Sequence, residues 1–156
     1  MTTDQQQIEA LRAEWLAAAQ SRDLDRIMAT YYPGSDYLAF DVMPPFSFEG
    51  WDTFRAHWKR FFEMFDADPV FERADTRIHC SGELAFSTGF TRFAASVGGE
   101  AIDLWTRETL CYRKFEGSWR IFHDHVSVPV DLETHIGVTD FKPDADKITP
   151  HTVEGA

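Results

Sequence analysis

Asp41 closes an apolar run, Tyr37-Leu-Ala-Phe-Asp41, and is followed by Val42-Met43-Pro44-Pro45, so its carboxylate stands between an aromatic ring and a proline turn. Partial loss of water raises a carboxylate pKa toward the range in which it can take a proton from carbon. A second reading stays open, in which Asp41 accepts backbone N–H groups of its own turn, as Asp often does beside proline. His123 and His125 are two residues apart in an extended run and share a face, while Asp124 points to the other. That pair suits acid–base work or the orientation of a ligand. A metal needs at least a third ligand, and none stands at a recognisable spacing, so neither metal nor cofactor is expected.

Asp103, Trp105, Arg107, Thr109 and Cys111 alternate along one side of a further extended run. A guanidinium next to an indole on a sheet suits a carbonyl, enolate or carboxylate oxygen held near an aromatic surface. Alternatively, Arg107 pairs with an acid on the convex side of the sheet. If Glu116-Gly117 forms a two-residue turn, Thr109 pairs with Asp124 and Leu110 with His123. The Trp105/Arg107 side and the His123/His125 side then lie on opposite faces, and a single β-bulge would bring them onto one. Candidate residues are therefore taken from both faces: Asp41, His123, His125 and Arg107 for catalysis, with Tyr32, Phe40, Trp58, Phe90, Trp105 and Thr109 against a ligand.

These side chains need a frame, and the hydrophobic pattern supplies one. Ile8, Leu11, Trp15, Leu16 and Ala19 form one helical stripe between Thr3 and Gln20, with Thr3 and Gln6 spaced as a capping box. A second helix is expected from Asp23, carrying Leu24, Ile27, Met28 and Tyr31 on one side and stopped by Pro33-Gly34. Gly50 opens a third, whose Trp51, Phe54, Trp58, Phe61, Phe62 and Phe65 make a wide aromatic face, read mainly as core. Val70–Cys80, Leu84–Ser96, Ala101–Phe115 and Trp119–Val128 then read as strands punctuated by Ser81-Gly82, Gly98-Gly99 and Glu116-Gly117. Helices first and long antiparallel strands afterwards give an α+β fold, three helices on one face of a curved sheet. Residues 1–130 form the expected domain. Residues 131–156 form an extension; Val130, Leu132, Ile136 and Phe141 are expected to dock on the body or on a neighbouring molecule, and the end from Asp144 to fray.

Composition narrows the partners. At 156 residues and 44% hydrophobic, the chain suits one domain with a real core. Its formal charge of −11 opposes nucleic acid and anionic membrane surfaces. The first 22 residues are too interrupted by charge for a signal peptide, and a cytoplasmic location is expected. Cys80 and Cys111 are read as buried or half-buried free thiols. Fourteen Phe, five Trp and four Tyr exceed what a small core needs, and the excess should line a cavity or a subunit interface. No glycine-rich phosphate loop, nucleophile elbow or His-Glu-x-x-His run is present, which disfavours phosphoryl transfer and triad hydrolysis.

From Ile8 to Pro129 the order of these pieces resembles the SnoaL-like, ketosteroid-isomerase-like branch of the nuclear transport factor 2-like cone fold. The resemblance rests on the Tyr31-Tyr-Pro-Gly34 turn, Phe40-Asp41-x-x-Pro-Pro, Gly50-Trp51-Asp52, Trp105-x-Arg107-x-Thr109 and Gly117-x-Trp119-x-Ile121-x-His123-x-His125-x-Ser127. It implies a cone-shaped cavity between helices and sheet, and a homodimer. In ketosteroid isomerases of this fold an Asp is the base, and a Tyr with a protonated Asp holds the oxygen. Asp41, nine residues before Gly50, matches the base position. The partners depart from the pattern: the first-helix Tyr would fall near Ala17, and the second donor near Thr109–Cys111, where no carboxyl stands. The resemblance therefore implies a small apolar or aromatic carbonyl ligand and a cofactor-independent enolising, dehydrating or cyclising reaction, rather than steroid isomerisation itself. The alternative is a non-catalytic ligand-binding or dimeric assembly module of the same fold.

Overall fold

Thr3 starts the chain's first helix by reciprocal capping in the computed structural model, which describes residues 3–146. Its hydroxyl accepts the Gln6 N–H, and the Gln6 side chain accepts the Thr3 N–H. That satisfies two of the donors a helix N-terminus leaves without partners. The helix, α1, spans Asp4–Gln20 and buries Ile8, Arg12, Trp15, Ala18 and Ala19. Asp23 caps α2, Leu24–Ala29. This helix ends sooner than Pro33-Gly34 would require. Tyr31 is drawn instead into a bridge with Ile121, and the Tyr32 N–H donates to the Ile121 carbonyl at 2.7 Å. The short strands β1 (Leu38–Phe40) and β2 (Phe48–Glu49) then lead to α3, Trp51–Glu63. Gly50 precedes α3 at φ 86°, a conformation that costs a side-chain-bearing residue more than glycine. The aromatic stripe of α3 is core, with Phe54, Trp58 and Phe62 buried.

Four long strands follow: β3 (Val70–Ser81), β4 (Leu84–Val97), β5 (Glu100–Phe115) and β6 (Ser118–Ser127). The sheet order is β2-β1-β6-β5-β4-β3. All its pairings are antiparallel except β1 against β6. Glu116 and Gly117 form the β5–β6 turn with φ 50° and 78°, both positive as a tight primed hairpin turn requires. Phe115 faces Ser118 and Tyr112 faces Ile121, but Cys111 faces His123. Phe122 is thus one residue too many, a β-bulge. Trp119 and Ile121 point inward before it, and Asp124 and Val126 border the interior after it.

A buried polar knot joins helix to sheet. Arg12 donates from Nη1 to Ser87 Oγ at 2.7 Å and Tyr112 Oη at 2.9 Å, and from Nη2 to Thr76 Oγ1 and Glu108 Oε1, both at 3.1 Å. Arg73 and Thr91 donate to the other Glu108 oxygen at 3.3 and 2.8 Å. Burial alone would push the Glu108 carboxyl up, but the Arg73 and Arg12 guanidiniums and the Thr91 hydroxyl outweigh it and hold the carboxyl below its ordinary value. Glu108 therefore stays ionised in the interior.

After Pro129 the chain forms a small hairpin, β7 (Val130–Asp131) with β8 (Ile136–Gly137), and a turn of helix, α4 (Pro143–Asp146). Val130, Leu132, Ile136 and Phe141 are exposed on the single chain, and the hairpin pairs with itself rather than with the main sheet. Of the end expected to fray, Asp144–Asp146 lies in α4 and residues 147–156 lie outside the described residues. Cys80 is exposed rather than buried, near the end of the edge strand β3, and Cys111 is half-buried. Among the described residues no helix is long and apolar enough to cross a membrane.

Removing one member of a buried ion pair strands its partner, at a cost of about 3–5 kcal/mol. Arg12→Met should lower the unfolding free energy by about that much in urea titration. A loss below about 1 kcal/mol would show that the knot is not an anchor of the fold.

Candidate functional site

Helix α3, strand β1 and the inner face of β3–β6 line a cavity of about 290 Å³. Its wall is overwhelmingly apolar, with Trp15, Phe40, Phe54, Trp58, Phe61 and Phe93 among the rings. Against that background the ionisable groups stand out. Asp41, His57, Glu108 and Asp124 all border the cavity.

Asp41 leaves β1 with its side chain held at both oxygens. Oδ1 accepts the Met43 N–H at 3.2 Å, so the turn-capping reading of Asp41 is realised for one oxygen. Oδ2 lies 2.9 Å from His57 Nε2. An ionised carboxylate only accepts, which makes Nε2 the donor. His57 is placed by packing, with its ring 4.1 Å from that of Phe48 and stacked at 5.7 and 6.2 Å on Phe54 and Phe61.

Asp124 comes from β6, just beyond the bulge. Tyr31 Oη donates to its Oδ2 at 3.1 Å, and Trp15 Nε1 donates in turn to Tyr31 Oη at 2.7 Å. Oδ1 is buried and has no partner. Burial first, then the neighbouring Glu108 and Asp41 carboxylates, push the Asp124 carboxyl up to about 8, against the opposing effects of Tyr31 and Arg73. At neutral pH it is mostly a neutral acid. One apolar chamber thus holds a carboxylate with two donors, a fixed anion neutralised by arginines, and a protonated carboxyl with one oxygen unused. A neutral acid can donate to a carbonyl, and a nearby carboxylate can accept a proton from carbon.

The structure divides the sequence-derived candidates. Asp41, Phe40 and Trp58 border this cavity. The Phe122 bulge does bring the Trp105/Arg107 side and the histidine pair together, pairing Thr109 with His125 and Cys111 with His123, but on the outer face of the sheet. There His123 Nδ1 lies 2.8 Å from the Leu38 carbonyl oxygen, and Phe40 meets the His123 and His125 rings edge-on at 5.1 and 5.4 Å. Arg107 donates to Ser127 Oγ and to the Val128 carbonyl. Phe90, Trp105 and Arg107 border a shallow depression beside Phe141 and Pro143. Tyr32 sits elsewhere, edge-on to Phe115 and under the Arg113 guanidinium.

Three ionisable groups in the cavity wall, His57, Glu108 and Asp124, were not among the sequence-derived candidates. His57 carried a signal: it is a polar residue inside the Phe54, Trp58, Phe61 stripe, three positions after the first ring. Asp124 carried none that local spacing reveals, since its facing depends on the bulge.

Residues 8–131 match the SnoaL-like domain family. A nuclear transport factor 2-like protein of unknown function from Pseudomonas putida KT2440 is 33% identical, with 87% of this chain and 94% of that one covered and a TM-score of 0.79. A nuclear transport factor 2-like superfamily protein from Salmonella enterica serovar Typhimurium LT2 is 20% identical over 88% and 96% of the two chains, with a TM-score of 0.73. A ketosteroid isomerase-like protein from Erwinia carotovora atroseptica SCRI1043 is 22% identical over 81% and 97%, with a TM-score of 0.68. The last two show the fold alone. No curated protein matches the chain. The helices on a curved sheet and the match over residues 8–131 agree: this chain belongs to the SnoaL-like domain family of the nuclear transport factor 2-like superfamily.

Proposed function

We propose that the protein binds a small, neutral, ring-containing carbonyl compound in the cavity and moves a proton on the carbon beside the carbonyl. The observation that carries this reading is the pairing, in one apolar chamber, of a donor-held carboxylate, Asp41, with the raised carboxyl of Asp124. Asp41 removes the proton, the C–H electron pair shifts into the enolate, and the oxygen takes a hydrogen bond from Asp124. Return of the proton to the same carbon gives exchange, and return to a conjugated carbon gives isomerisation. His57 orients Asp41 and, once the proton has moved, keeps a donor on the carboxyl's other oxygen. The low dielectric of the aromatic wall strengthens each of these interactions. The chemistry considered on sequence for Arg107, His123 and His125 has less support, since they stand outside this cavity.

One observation favours a second reading, a ligand-binding protein without catalysis: Asp41 spends one oxygen on its own turn. Solvent deuterium incorporation into 2-tetralone, followed by NMR, separates the two. Catalysis predicts exchange well above the buffer rate, and Asp41→Asn should reduce the enhancement about 10²- to 10⁴-fold, the range for a positioned base. Wild-type exchange at the buffer rate would leave only the binding role.

The raised Asp124 carboxyl has a stability consequence whose sign is fixed. A group with a folded pKa of about 8 against 3.8 unfolded contributes stability that is complete below pH 3.8 and lost as pH rises through about 8. Wild type should therefore lose stability relative to Asp124→Asn between about pH 4 and 8, by up to about 1.4 kcal/mol per pH unit. Parallel stability profiles over that window would mean that Asp124 is ionised in the folded protein.

A homodimer formed through the outer sheet face belongs to the same proposal. Leu84 and Phe86 are 56% and 44% exposed there, an apolar area that a second subunit would cover. Sedimentation equilibrium should give twice the chain mass for wild type and a monomer for Phe86→Glu. A monomeric wild type would remove the dimer.

A further inference from the structure

The outer face of the sheet carries a charge opposite to that of the chain as a whole. Arg107 and Arg113 lie on the same side of β5, and register partners share a face, so Arg120 of β6 and Leu84 of β4, both opposite Arg113, stand beside it there. Arg77 joins them from β3, opposite Thr88. The chain has a formal charge of −11, yet the acids on this face, Glu72 and Asp103, both pair with Arg92. Arg113 has a carboxylate no nearer than Asp36 at 3.9 Å, and Arg120 donates to the Trp119 carbonyl. Among the described residues, Arg77 and Arg120 form no ion pair. Like charges directly opposite on neighbouring strands destabilise a sheet, so Arg113 and Arg120 together call for an acid from elsewhere.

The C-terminal extension has the complementary composition. Between Val130 and Asp144 it carries Asp131, Glu133, Asp140 and Asp144 against Lys142. Val130, Leu132 and Ile136, interleaved with those acids, are 56%, 84% and 65% exposed. Leu132 and Glu133 sit in the turn that joins β7 to β8, and Asp131 Oδ1 accepts the Glu133 and Thr134 N–H groups at 2.8 and 2.9 Å. An apolar side chain and a carboxylate are thus presented to water side by side on a braced tip. The extension also starts on the outer face. Pro129, Phe141 and Pro143 border the same depression as Phe90, Trp105 and Arg107, at the opposite end of β5 and β6 from Arg113 and Arg120.

We propose that the β7–β8 hairpin of each copy lies on the outer sheet face of a second copy, with Glu133 against Arg113 and Arg120 and Leu132 against Leu84 and Phe86. The inference rests on the outer-face dimer proposed above and adds the segment that closes it. Two-fold symmetry makes every such contact twice. A two-fold axis running across the strands reverses their direction, so the Val128 end of one β6 lies over the Arg120 end of the other, and the acidic hairpin meets the cations. An axis running along the strands would instead gather Arg113 and Arg120 of both copies at one end. Like charges brought together across an interface oppose association, and opposite charges fix its register, so the first arrangement is selected. The exposed apolar side chains of hairpin and sheet are then covered by each other.

A charge swap in the full-length chain, read by sedimentation equilibrium at low salt, tests the contact. Glu133→Arg and Arg120→Glu should each raise the dimer dissociation constant about tenfold, the effect of setting like charges where a pair stood. The double variant, which restores opposite charges with their places exchanged, should return to within about threefold of wild type. That recovery also shows that neither substitution damages the fold. Single variants that associate as tightly as wild type, or a double variant no tighter than the weaker single one, would overturn the hairpin contact. If Phe86→Glu is nevertheless a monomer in that case, the outer-face dimer stands without the exchange. A monomeric wild type would remove both.

Discussion

One extra residue in β6 decides what the interior of this protein can do. Side chains of a regular strand alternate between faces, so Trp119 and Ile121 pointing inward would carry His123 and His125 inward after them. Phe122 breaks that alternation, and Asp124 and Val126 border the interior instead. The consequence is electrostatic as much as geometric. Two exposed or half-exposed imidazoles are left on the outer face, and a carboxyl is buried where it must be neutral. β-bulges recur beside functional sites because they re-aim single side chains at small cost to the sheet.

The rest of the cavity follows from how that carboxyl is accommodated. Glu108 lies on the inner face of the neighbouring strand, and two buried like charges would repel strongly at the low dielectric of the interior. Arg12 and Arg73 settle the matter by neutralising Glu108, which leaves Asp124 as the group that keeps its proton. The Arg12 bonds also tie α1 to β3, β4 and β5, so one polar knot both anchors the first helix and sets the charge state of the wall. Asp41 and His57 stand at the other carboxyl position, where a turn N–H and an imidazole supply its donors. Stability and chemistry thus share residues.

Much of this architecture was legible in the chain. The Thr3–Gln6 capping box, the aromatic stripe of α3 and the four long strands with their glycine turns follow local rules, and local rules act within a few residues. Asp41 was legible too, because an acid between Phe40 and a proline turn is locally anomalous. What remained hidden depends on long-range register. The placement of Asp124 turns on whether β6 has nine or ten residues' worth of alternation, and nothing in Arg120-Ile-Phe-His-Asp124 announces a bulge. The early end of α2 is of the same kind, since Tyr31 is captured by Ile121, some ninety residues away. His57 is different: an imidazole inside an otherwise apolar helical stripe was visible, and only its Asp41 partner was not.

The neutral Asp124 carboxyl is the claim on which the cavity's chemistry turns, and carboxyl ¹³C NMR of aspartate-labelled protein across pH 3–10 measures it directly, with Asp124→Asn to assign the signal. The account predicts a carboxyl that titrates with a midpoint near pH 8, about where its burial places it. A midpoint in the ordinary aspartate range near 3.8 would contradict it.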